Sequence, residues 1–144
     1  MLEMDSSTGK NAASLLGAID ECTLVIICAG ICLGNLMTGC GNSSLSWQAL
    51  KTNILCGDFI EACYPFMDRS RVINASAYLA AGLSTEIIAY KRILSSAYFP
   101  LPLSILISND RVGMAVASSV AFAVSLLGTL VSNKLDAMWK RKGD

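Results

Sequence analysis

Glu86 stands apart from the other ionisable residues. It is the single charged side chain between Val72 and Tyr90, a stretch otherwise built from small and apolar residues. An acid inside a segment long enough to cross a membrane signals function by default, because its charge costs about 3 kcal/mol or more at the bilayer centre. Three kinds of chemistry fit such a carboxyl. It could relay a proton. It could ligate a hard cation such as magnesium, which prefers oxygen donors. It could also stay partly wet and pair with Tyr90, Lys91 or Arg92, since five residues of helix place Lys91 about 8 Å away along the axis.

The six cysteines are the second set of reactive groups: 22, 28, 32, 40, 56 and 63. Cys28 and Cys32, four apart, share one face of a helix. No CxxC occurs, so the spacing does not spell out a zinc or iron–sulfur site. Thiols in an apolar helix also serve as small apolar fillers. Cys40, Cys56 and Cys63 lie outside the apolar runs and would form a disulfide only in an oxidising compartment. Leu36-Met-Thr-Gly-Cys40 resembles the lipobox of bacterial lipoproteins, which would imply cleavage before Cys40 and its acylation. Against that pattern, the flank is acidic (Glu3, Asp5, Asp20, Glu21) where a signal peptide is basic. The sequons at Asn42-Ser-Ser44 and Asn74-Ala-Ser76 are short acceptor patterns.

Other chemistries are excluded by composition. With no histidine, haem ligation through the chain's own His is ruled out, as is the ordinary proton shuttle. There is no nucleophile–base cluster and no phosphate-binding glycine loop; Gly39-Cys-Gly41 is only a turn. A non-catalytic role is expected. Eleven basic and eleven acidic residues balance, without the basic stripe that nucleic acid requires.

The elements that hold these groups are membrane helices. Only 15% of the 144 residues are charged and 53% are hydrophobic, against roughly 25% charged in a soluble domain; mean hydropathy is +0.54. The sequence predicts an all-α integral membrane protein, a single domain over 1–144 with three spans at about 14–37, 72–94 and 112–133. The last has no charge over 22 residues, about the length that crosses 30 Å of hydrocarbon. Gly39, Gly41 and Asn42 end the first span, with Asp20 and Glu21 near one interface. Asn74 is an N-cap candidate for the second span, and Lys91 and Arg92 close it. Residues 38–72 form an interfacial loop or short helix, around 45–66, with Trp47 and Tyr64 at headgroup level. Pro100 and Pro102 make 93–109 a connection along or dipping into the membrane.

Three spans put the termini on opposite sides. The middle loop and C-terminal tail hold seven bases and the other side four, so the positive-inside rule turns the C-terminus towards the cytoplasm, stroma or matrix. Packing signals are Gly30-Ile-Cys-Leu-Gly34, a GxxxG, and two small-residue rows on the last helix: Ala117, Ala121, Ser125 and Ala115, Ser119, Ala123.

Asn109-Asp-Arg-Val-Gly-Met-Ala-Val116 resembles the start of a light-harvesting chlorophyll-binding helix, whose pattern reads Glu-x-x-Asn-Gly-Arg-x-Ala-Met. Asn109, Arg111 and Met114 match its Asn, Arg and Met. Asp110 and Gly113 replace its Gly and Ala, and Leu106 stands at its chlorophyll-ligating Glu. In the second span, Lys91 follows Glu86 where the family has Arg. The resemblance covers about a dozen residues. It implies that Glu86 pairs with Arg111, that Glu86 and Asn109 offer oxygen to a chlorophyll magnesium, and that chlorophyll a is a cofactor, with carotenoid or lipid beside it.

The function so indicated is an accessory subunit of a larger membrane complex, a photosystem in the plastid thylakoid. Two alternatives stay open. One is an accessory subunit of a respiratory-type complex without pigment, in the mitochondrial inner membrane. The other is a small oligomeric transporter using Glu86.

Overall fold

The computed structural model describes residues 6–40, 43–56, 60–95 and 100–142. Among these, every regular element is helical. α1 (Ser6–Asp20), a π-helical turn (Glu21–Ile26) and α2 (Ile27–Thr38) follow one another without a break. Then come α3 (Ser43–Cys56), a 3₁₀ turn (Ile60–Cys63), α4 (Tyr64–Arg69), α5 (Arg71–Lys91), α6 (Leu101–Ile107) and α7 (Arg111–Lys142). Three stretches are long and apolar enough to cross a membrane: Gly9–Thr38, Arg71–Lys91 and Arg111–Trp139.

The three long stretches alternate in direction. Ser95, just past α5, donates its backbone N–H to the Ser14 carbonyl of α1. At the other end, Asn133 of α7 meets Asn35 and Thr38 of α2, and Ser132 meets Ser70 ahead of α5. The start of the first stretch and the end of the last therefore lie at opposite ends of the bundle, as three spans require.

Local chemistry sets the boundaries. α2 stops where Gly39 takes φ of 63° and its N–H turns back to the Leu36 carbonyl, a left-handed cap that glycine adopts without a side-chain clash. α5 is capped by Ser70, not Asn74: Ser70 is extended and its Oγ accepts from Ile73 N at 3.4 Å, whereas Asn74 is already inside the first turn. α5 then ends at Lys91, short of the expected 94, because Arg92 turns left-handed with φ of 51°. α7 starts at Arg111, where Asp110 Oδ1 accepts from Gly113 N at 2.8 Å. It continues well past the predicted end at 133, since the tail from Lys134 to Lys142 is rich in strong helix formers and Arg69 meets Asp136 at 3.8 Å.

The loop expected at the interface folds differently. α3 runs back alongside α2, so that Asn53 Nδ2 donates to the Val25 carbonyl at 2.6 Å. Val25 lies thirteen residues, about 20 Å of helix, before Thr38. Ser46, Ala49 and Asn53, at helical spacing, form the buried face of α3. On the opposite face Lys51 reaches back over the Trp47 ring, 5.0 Å from its centroid. The two prolines near α6 start that short helix instead of breaking one: Pro100 precedes it and Pro102 sits in its first turn, where a missing N–H costs nothing.

The core has two parts. One gathers Ile26, Ile27, Cys28, Ile31 and Cys32 with Cys63, Phe66, Ile73, Ala77, Ala80 and Ala121. The other joins Ala18 and Cys22 to Ile88, Ile93, Met114 and Ala117. α2 and α7 approach closely because Gly30 and Gly34 lack side chains. A Cβ at Gly30 would collide with Ser125 Oγ, and one at Gly34 would stand 2.8 Å from Thr129 Cβ. Of the two small-residue rows, Ala117, Ala121 and Ser125 are buried here, while Ser119 and Ala123 of the other row face outward.

Candidate functional site

The residues that the resemblance pointed to form a clasp between α5 and α7. Asn109 Oδ1 accepts from Leu94 N at 2.7 Å and from Asp110 N at 2.9 Å, and its Nδ2 donates to the Arg92 carbonyl at 3.2 Å. The carboxamide oxygen thus has both its acceptor positions in use. Arg111 Nε donates to the Leu106 carbonyl at 3.1 Å, and Lys91 Nζ meets Asp110 Oδ2 at 3.7 Å. Glu86 is not brought to Arg111. It is exposed on α5, and among the described residues it has no ion pair. Among the described residues the expected Glu86–Arg111 pair does not form; Lys91 meets Asp110 and Arg111 the Leu106 carbonyl instead.

A different acid lies inside. Glu21 opens the π turn and is 1% exposed, and among the described residues neither carboxyl oxygen has a hydrogen-bond partner. A span from about 14 to 37 sets Glu21 near one interface, ahead of the apolar run that starts at Cys22. The helix instead starts far upstream, so α1 and the π turn pack Glu21 into the bundle. A π turn within an otherwise α-helical run frequently marks a functional position. Its neighbour Cys22 lies 3.7 Å from Ser118 Oγ on α7.

The chemically richest group is made of sulfur. Cys28 and Cys32 are one turn apart on α2, with Sγ atoms 4.0 Å apart. Cys63, at the end of the 3₁₀ turn, brings its Sγ to 3.7 Å from that of Cys32 and 3.6 Å from the Cys28 carbonyl oxygen. The three sulfurs lie within 4.8 Å of one another, and all three side chains are fully buried. Hydrogen bonding with Cys28 and Cys32, together with burial, holds the Cys63 thiol above its ordinary range. Among the described residues, no further histidine, cysteine or carboxylate joins this group.

The positions of the three sulfurs follow from the local fold. Helical periodicity sets the first two. The Asn53–Val25 hydrogen bond pins α3 to the same helix a turn away, and Phe66 of α4 packs into the surrounding core. Sequence reading paired Cys28 with Cys32 and left Cys63 in the loop. A third cysteine beyond a polar turn was the available signal, but the spacing alone does not say that the loop folds back.

Protein-family models, curated proteins and solved structures were compared with this chain, and none matches.

Proposed function

We propose that this chain is an integral membrane protein that serves as a non-catalytic accessory subunit of a larger membrane complex. The carrying observation is the exposure of two of its three long apolar helices. In Arg71–Lys91 and Arg111–Trp139, only 33% of the most apolar window is buried. Tyr78, Leu79 and Leu83 on α5, and Val112, Val116, Leu127 and Val131 on α7, all face outward. Contiguous apolar surface of this kind belongs against lipid or another protein.

Between them, lipid and protein neighbours divide this surface. The outward row of Ala115, Ser119 and Ala123 favours a protein neighbour, since small residues let another helix backbone approach closely where no hydrophobic drive exists. A pigment-contacting version, with a photosystem host in the thylakoid, rests on the resemblance around Asn109. Because the Asn109 oxygen is occupied, exposed Glu86 is the residue left to offer a ligand to chlorophyll magnesium.

Native-gel migration with an absorption spectrum of the same band tests the reading. A band well above the mass of the single chain is expected, and A115L/S119L/A123L should shift it towards the free chain. Migration as a monomer in mild detergent from its own membrane would overturn the subunit reading. A colourless large complex would retain the subunit reading and remove the pigment.

A further inference from the structure

We propose that Cys28, Cys32 and Cys63 form a binding site for one monovalent soft metal ion, copper(I), in a three-sulfur environment. The donor set decides the class of ion. Three thiols with no imidazole select soft metals over magnesium, calcium or manganese. The geometry is already close to that of a loaded site. With two sulfur–sulfur edges of 3.7 and 4.0 Å and the third within 4.8 Å, an ion centred among them would lie about 2.1–2.5 Å from each in a trigonal plane, close to ordinary metal–thiolate lengths.

Ligand count favours copper(I) over a closed, structural zinc site. Structural zinc is almost always tetrahedral with four protein ligands, and the described residues supply three here. Copper(I) is satisfied by two or three thiolates. Charge sets the proton count. Binding displaces protons from the coordinating thiols. Loss of two protons leaves the copper(I) site with one net negative charge, and loss of three leaves two. Copper(I) needs at least two thiolates, and burial in apolar surroundings disfavours the charge that a third would add, so two protons leave per ion and the third sulfur coordinates as a thiol. No electron is transferred in this step: the ion enters and leaves as copper(I).

The thiols are also poised for little rearrangement. Two sit on one helix face at fixed separation. The third is carried by a turn that α3 and α4 hold against that face. Cys22 and Cys40 lie outside the group.

The test is an anaerobic titration of the full chain in detergent micelles with copper(I), against bicinchoninate as competing chelator. One ion per chain is expected, with near-ultraviolet thiolate-to-copper absorption. C63S should weaken binding by more than about 100-fold, the upper end of what loss of a mere supporting contact costs. C22S and C40S should bind as the parent does. Because C63S could fold poorly, X-ray absorption on the unaltered loaded chain gives a second reading, with three sulfur neighbours expected. A copper shell of nitrogen or oxygen, affinity unchanged in C63S, or stoichiometric zinc uptake with no copper(I) uptake would each overturn the site.

Discussion

Asn133 of α7 donates its carboxamide N–H to Asn35 Oδ1 of α2 at 2.9 Å, joining residues 98 apart in the chain. The same nitrogen donates to Thr38 Oγ1 at 2.7 Å. Both asparagines are buried. This polar lock closes the end of a seam in which Gly30 and Gly34 admit Ser125 and Thr129. Side-chain hydrogen bonds between membrane helices contribute about 0.6–2 kcal/mol each. Asn133→Leu is expected to destabilise the bundle by about 1–2 kcal/mol, read as a lower midpoint in SDS titration. An unchanged midpoint would show that the seam holds without its lock.

The glycines of that seam should be far less tolerant. Gly34→Val places methyl groups where Thr129 already stands, and overpacking of this kind costs about 1–3 kcal/mol. Gly82 supplies the contrast, because a Cβ there meets nothing within 4 Å. Gly82→Ala should be neutral or stabilising by up to about 1 kcal/mol through helix propensity. Equal losses at the two positions in the same SDS titration would contradict the close approach of α2 and α7.

Asp110 carries two separable contacts, one capping α7 and one with Lys91. Asp110→Asn keeps an oxygen for Gly113 N and loses the partly exposed ion pair, which is worth roughly 0–1 kcal/mol. Asp110→Ala loses the cap as well, at a further cost of about 1 kcal/mol. Thermal unfolding in detergent should rank them parent, Asn, Ala. A loss in Asn as large as in Ala would mean that charge, not capping, governs this turn.

Glu21 makes no ion pair or hydrogen bond among the described residues. Glu21→Gln therefore removes no charge-dependent contact and should leave stability unchanged or raised. Marked destabilisation of this variant would reveal a partner for the carboxyl.

Thiol accessibility gives a direct check on the packing. In a Cys56→Ser background, a membrane-impermeant maleimide should react with Cys40, which is half-buried, well before Cys22, Cys28, Cys32 and Cys63, which are buried. Adding SDS should bring the other four into reach. Rapid labelling of all five in the folded chain would rule out the buried thiol group.

Much of the fold was legible because it depends on composition along one dimension. Apolar runs with few charges named three helices, and small residues marked two possible packing rows on α7, of which the structure buries Ala117, Ala121 and Ser125. Boundaries shifted where capping outweighed hydropathy, at Ser70, Arg92 and Asp110. The candidate site was largely hidden. Glu86 drew attention as a charge inside an apolar run, yet it points outward, while Glu21 looked like a flank and is enclosed. Cys63 joins Cys28 and Cys32 only through the return of α3 along α2. That return depends on tertiary contacts such as Asn53 to Val25, which no local pattern encodes.

The π turn at Glu21–Ile26 has a consequence for how this helix tolerates length changes. Ala18, upstream of it, and Cys22, at its start, pack with Met114 and Ala117; downstream, Cys28 and Ile31 pack with Cys63 and Ile73. The turn acts as a vernier that phases two faces which a uniform α-helix would present in different directions. Winding the same residues as plain α-helix would rotate one half against the other by about 100°. Either half could then dock, but not both together. A single-residue deletion in this segment lets the helix wind plainly with its phase kept, and should therefore cost less than a single-residue deletion within α2.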